Sequence, residues 1–76
     1  MVENARTSLL LGQRIRELRV EKGWSQEELG ERCGLDRTYV SGVERGVRNP
    51  TLSVIERIAV GLGVTIVELF AKTKGS

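Results

Sequence analysis

The sequence predicts an all-α fold of five short helices, on two observations. Apolar residues recur three and four positions apart, as at Leu11, Ile15 and Leu18 and again at Leu52, Ile55, Ile58, Ala59 and Leu62. That spacing lines one face of a helix. Between these stripes stand residues that start and stop helices: Ser25 with Glu28 and Thr65 with Glu68 have the spacing of capping boxes, and Gly23, Gly34, Gly46 and Gly63 follow helical stretches. No alternating strand pattern, internal repeat or low-complexity segment interrupts the order.

Residues 1–8 are polar and lack periodicity, so they read as a flexible tail, or as an arm that orders on a ligand. A first helix is expected from about Leu9 to Lys22, stopped by Gly23. Trp24 then precedes the Ser25 cap as an apolar staple and should fill the core between the first two helices. In the second helix Leu29 and Cys33 share one face, and Gly30 leaves bare backbone where another helix can cross. Gly34 should end that helix in the left-handed conformation, Leu35 should plug the turn, and Asp36 should cap the third helix. Val40 and Val43 then turn inward and leave Arg37, Thr38, Ser41 and Gly42 on the outer face. Gly46 and the loop V-R-N-P-T follow, with Pro50 forbidding continuation. Thr51 caps a fourth helix, which ends near Gly61 to Gly63. A fifth runs from about Ile66 to Ala71, and 72–76 form a loose tail. The domain therefore spans 9–71.

A chain of 76 residues makes one domain with a small core, which self-association would supplement. Twelve Lys and Arg against ten Asp and Glu give a net charge of only +2, too little for a bulk polycation. Their distribution matters more: from Arg37 to Thr51 three arginines, Arg37, Arg45 and Arg48, face one acid, Glu44. The single cysteine, Cys33, rules out an internal disulfide and falls in the apolar pattern of a core residue, with a redox thiol as the minor reading. No apolar run is long enough to span a membrane. The opening M-V-E-N-A-R-T is not that of a secretory signal, so a cytoplasmic location is expected. The chain has no histidine, no thiol–base pair, no phosphate-cradling glycine loop and no metal-ligand cluster. No catalytic residue, metal or cofactor is therefore expected, and the chain does not read as an enzyme.

Two short helices joined by a tight glycine turn, the second polar on its outer face, describe a helix-turn-helix, in which the second helix enters the major groove of DNA. Residues near its start reach furthest in. Arg37 can offer a bidentate fork to guanine, Thr38 a methyl or hydroxyl, and Ser41 a hydroxyl one turn later, while Gly42 lets the helix approach the bases closely. Arg45, Arg48 and Asn49, in and after the last turn, are candidates to grip phosphates. Tyr39 either donates its hydroxyl to a phosphate or packs.

From about Leu11 to Phe70 the chain resembles the Xre/Cro group of phage and bacterial repressors. The resemblance is carried by I-R-E-L-R at 15–19, G-W-S-Q-E-E-L-G at 23–30 and V-E-R-G at 43–46. Within that group D-R-T-Y-V-S-G-V-E-R-G-V-R-N-P-T-L, at 36–52, is similar to controller proteins of restriction-modification systems. The resemblance implies a compact five-helix bundle with a lambda-repressor-like DNA-binding domain. It implies base-reading roles for Arg37, Thr38, Tyr39 and Ser41, a phosphate clamp at Gln26, and a mostly buried ion pair between Arg19 and Glu44. It further implies binding to the protein's own promoter, activating at low occupancy and repressing at high.

One such domain covers about half a site, so a two-fold dimer on a pseudo-palindrome with half-sites roughly ten base pairs apart is expected. The fifth helix carries more apolar groups than its contact with the core can hide, and Ile66, Val67 and Phe70 are assigned either to the two-fold contact or to the core. The expected partners are a double-stranded DNA operator, a second copy of the chain and, at a promoter, RNA polymerase, with no membrane. The competing reading is an antitoxin or adaptor that uses the same fold to bind a protein.

Overall fold

The caps and stripes of the sequence produce five helices in a computed structural model that describes residues 2–71, with side chains from Arg6 onward. They are α1 (Val2–Glu21), α2 (Gln26–Cys33), α3 (Arg37–Glu44), α4 (Leu52–Leu62) and α5 (Ile66–Ala71). Among the described residues there is no strand, and no helix is long and apolar enough to cross a membrane. The expected tail at 72–76 lies outside the described residues.

α1 begins at Val2, well before the expected start near Leu9. Extending a helix is cheap once its nucleus exists, and 2–8 contain no glycine or proline to stop it. The helix is also held from the side: Ser8 Oγ donates to Asn49 Oδ1 at 3.5 Å, and a Cβ on Gly46 would lie 2.9 Å from the Cα of Leu9. The sequence of 2–8 has no apolar periodicity, which is a different matter from lacking helical structure.

The capping signals differ in how fully they form. At α5 the box is reciprocal, with Glu68 N donating to Thr65 Oγ1 at 3.0 Å and Thr65 N to Glu68 Oε1 at 2.9 Å. At α2 only half of it forms: Glu28 N donates to Ser25 Oγ at 3.0 Å. The Glu28 carboxylate is taken instead by Arg32, one turn along, at 3.1 Å. Arg32 also lies over the Trp24 ring at 4.0 Å, so the staple position is half-buried against the core and roofed by a guanidinium.

Leu11, Ile15 and Leu18 of α1, Leu29 and Cys33 of α2, Val40 and Val43 of α3, Ile58, Ala59 and Leu62 of α4 and Leu69 of α5 form the core. α1 lies against α3 and α5, α2 against α3 and α4, and α4 against α5. Three glycines set these approaches by having no side chain. At Gly12 of α1 a Cβ would collide with the carbonyl oxygen of Val43 and stand 2.5 Å from that of Glu44. At Gly61 of α4 it would stand 2.5 Å from Cys33 Sγ. Gly30 was expected to admit a crossing helix; its neighbour is instead the turn, since a Cβ there would meet the Leu35 carbonyl oxygen at 2.5 Å.

Arginines close two helix ends. Arg57 of α4 donates from Nε to Cys33 O at 3.1 Å and from Nη2 to Gly34 O at 2.6 Å. Arg14 of α1 donates from Nε to Leu69 O at 3.2 Å and from Nη2 to Glu68 O at 3.3 Å. Cations at C-terminal carbonyls satisfy orphan acceptors and complement the helix dipole.

Candidate nucleic-acid interface

α3 is presented by the turn that precedes it. Gly34 takes φ 71° and its amide donates to Gly30 O, which ends α2 in a left-handed cap. Leu35 packs against the core, and Asp36 Oδ2 accepts from Thr38 N at 2.8 Å, opening α3 with Arg37 and Thr38 at its exposed start. The opposite side of α3 is fixed: Val40 and Val43 are each 2% exposed. Arg57, which sequence reasoning missed, ties this turn to α4. Its partner at Gly34 is 23 residues away in the chain, so no local pattern marks it.

Glu44 is 5% exposed and completes the inner side. Arg19 Nε donates to its Oε2 at 2.7 Å and Nη2 to its Oε1 at 3.0 Å, while Nη1 donates to Trp24 O at 2.7 Å. The hydrogen bond and charge of Glu44 raise the Arg19 pKa above its ordinary value, against an opposing effect of burial. Gln26 Nε2 also donates to Glu44 Oε1, at 3.1 Å. The side chain expected to clamp a phosphate is thus tied, at least through one donor, into the ion pair that anchors α3.

Of the residues assigned to base reading, Arg37 and Thr38 are exposed and Ser41 is half-buried, with its Oγ 3.4 Å from Arg45 Nε. Gly42 was expected on the outer face and is instead buried. The chain after α3 folds back over it, and a Cβ there would lie 2.5 Å from Arg48 Cγ. Tyr39 packs partly against the core, with the Arg48 guanidinium 5.5 Å from its ring centre. Arg45, Arg48 and Asn49 are exposed. Arg37, Thr38, Arg45 and Arg48 are thus all exposed in or just after α3, and among the described residues none of these arginines has a carboxylate partner.

On α5, Ile66 packs partly against the core, whereas Val67 is 78% exposed and Phe70 lies at the surface. Among the described residues no three His, Cys, Asp or Glu side chains gather as metal ligands would.

Residues 15–69 match the helix-turn-helix family. The chain is 57% identical over 60 residues to a hypothetical transcription factor from Neisseria meningitidis, a match covering 79% of this chain and 57% of that one. It thus spans little more than half the length of that relative. The solved structure of the restriction-modification controller protein C.AhdI from Aeromonas hydrophila is similar at a TM-score of 0.83 and 51% identity, over 86% of this chain and 98% of that one. The C.Esp1396I controller protein, solved as a tetramer in complex with its natural 35 base-pair operator, is similar at a TM-score of 0.79 and 42% identity, over 84% of each chain.

Proposed function

Because the chain belongs to the helix-turn-helix family of transcriptional regulators, we propose that it binds a pseudo-palindromic DNA operator as a homodimer, placing one α3 in each of two successive major grooves. The observation that carries this reading is the two-sidedness of α3. Its inner side is locked by Val40, Val43 and Glu44, and its exposed start offers Arg37 and Thr38. Arg37 and Thr38 read base edges, with Ser41 behind them, and Arg45, Arg48 and Asn49 hold phosphates. Tyr39 contributes through Arg48 and through packing. Gln26 reaches a phosphate with whatever donor capacity the Glu44 bond leaves it.

Val67 and Phe70, with Ile66 at their base, form the two-fold contact, a role favoured by the exposure of so large an apolar group as Val67 on a short terminal helix. The similarity to two restriction-modification controller proteins supports a role as a controller of that kind, working in the cytoplasm at a promoter where RNA polymerase is the further partner. An antitoxin or adaptor role is not favoured, because the relatives described above are regulators of transcription and proteins that control restriction-modification systems.

Selection of bound duplexes from a random pool tests the proposal. The expected product is a symmetric motif whose half-sites lie roughly ten base pairs apart. Recovery of no preferred sequence, or of a single asymmetric half-site by a protein that sediments as a monomer on DNA, overturns it.

A further inference from the structure

Arg48 occupies the place where α3 lacks a side chain. The amides of Val47 and Arg48 both donate to Gly42 O, at 3.0 and 3.2 Å, so the chain leaving α3 turns straight back onto its last turn. This lays the stem of Arg48 across Gly42: a Cβ on that glycine would stand 2.5 Å from Arg48 Cγ, 3.4 Å from Nε and 3.5 Å from Cδ. Beyond the stem, the guanidinium lies 5.5 Å from the centre of the Tyr39 ring, within reach of a cation–π attraction. Gly42 and Tyr39 are three residues apart and so share a face of the helix. Tyr39 packs against the core, which keeps the ring from following the arginine if it moves. Among the described residues the guanidinium has no hydrogen-bonded or ion-paired partner, so its donor fork stays open.

Glycine inside a helix is unfavourable relative to alanine, and its presence at position 42 calls for a spatial reason. We infer that Gly42 and Tyr39 form a seat that holds Arg48 ready for a DNA phosphate, which makes Gly42 a positioning residue for Arg48. The inference rests on the DNA-binding reading above. A free arginine loses much of its rotamer freedom when it docks. One already laid in a groove of its own helix loses less.

The test compares Gly42→Ala, Arg48→Ala and the double variant, each titrated onto a selected operator and melted alone. Gly42→Ala is expected to melt close to the wild-type temperature, the helical preference for alanine offsetting the shift that Arg48 Cγ must make. It is expected to bind about three- to tenfold more weakly per half-site, the scale of ordering one long side chain. In the Arg48→Ala background the same change should cost less than about twofold, because the group it displaces is gone. A Gly42→Ala loss of equal size in both backgrounds overturns the seat and assigns Gly42 to close approach of the bases.

A second readout needs no DNA. In the free protein the Arg48 side-chain protons should be shifted upfield by the Tyr39 ring, retain that shift in Tyr39→Phe, and lose it in Tyr39→Leu and in Gly42→Ala. Unshifted protons in the wild type overturn the seat. Failure of the wild type to bind any selected duplex overturns the DNA reading instead, and these shifts tell the two failures apart.

Discussion

Replacing Glu44 with alanine should destabilise the fold far more than it alters the choice of DNA. The Glu44 side chain is 2% exposed and that of Arg19 11%, so neither charge is screened well by water. Removing the carboxylate strands a guanidinium that keeps only the Trp24 carbonyl and leaves the Gln26 amide without the acceptor it now uses. Breaking a buried pair in this way costs about 3–5 kcal/mol. A domain of this length has a total stability of roughly 4–11 kcal/mol, so the loss takes between a quarter and all of it. At about 4–8 °C per kcal/mol for domains of this size, Tm should fall by about 12 °C or more in thermal melts followed by circular dichroism. The cost lies in the stranded charge and not in the loss of the pair as such. Arg19→Met with Glu44→Leu removes both charges together and should recover most of the lost stability. A Tm for Glu44→Ala within a degree or two of wild type refutes the argument.

Other expectations follow from the same geometry. Arg37→Ala should reduce the preference for the selected operator over random duplex by about 1–3 kcal/mol, measured by competition titration; equal losses on both DNAs count against base reading. Burial pushes the Cys33 thiol above its ordinary value, against a smaller opposing effect of the Arg57 charge. The folded thiol therefore keeps its proton to higher pH than the unfolded one. Stability should be unaffected below the ordinary thiol range, near about pH 8.5, and fall as pH rises through the folded pKa. Cys33→Ala should flatten that alkaline decline in urea midpoints, and an unchanged slope would show that the thiol is not its source. Val67→Asp, at a position 78% exposed, should leave the monomer's stability within about 0.5 kcal/mol while shifting micromolar protein from dimer to monomer in sedimentation. A variant that still dimerises moves the two-fold contact elsewhere.

How much of this was legible in the sequence depended on range. Signals that act within one turn were readable: the Thr65–Glu68 box, the Asp36 cap and the left-handed Gly34 are decided by residues at most four apart. Even there, competition blurred the pattern. Glu28 has two suitors in the Ser25 amide and Arg32, and the long flexible cation wins it. The extent of α1 does not follow from periodicity, which reports a face to bury, while 2–8 hold no glycine or proline to stop the helix. Gly30 and Gly42 were recognised as sites of close approach, but what approaches them is a carbonyl or a side chain from a returning loop. That return is itself local, made by the left-handed Gly34 and Gly46 and by amides five and six residues on that donate to the Gly30 and Gly42 carbonyls, but a glycine read by itself does not say which atom is laid over it.

The arginines show where one-dimensional reading stops and what the structure then adds. Arg14 reaches carbonyls 54 and 55 residues away, Arg57 carbonyls 23 and 24 away, and Arg19 a carboxylate 25 away. Only Arg19 is marked in the sequence, by the resemblance that pairs it with Glu44; nothing there sets Arg14 and Arg57 apart from Arg45 and Arg48. Once Arg14, Arg57 and Arg19 are committed to helix ends and to Glu44, and Glu44 is removed from the surface, the surface in and just after α3 is far more positive than a net charge of +2 suggests. That sorting sets the salt dependence of binding. If Arg45 and Arg48 each neutralise one phosphate, a dimer releases counterions from about four. The slope of log K against log salt should then be near −4, a loss of about a hundredfold or more between 50 and 200 mM salt. Arg48→Ala removes two of the four contacts per dimer and should reduce the slope's magnitude by about 2. Titrations of the wild type and this variant on one duplex at several salt concentrations measure both numbers. A slope that Arg48→Ala leaves unchanged places Arg48 away from the phosphates and removes it from the interface.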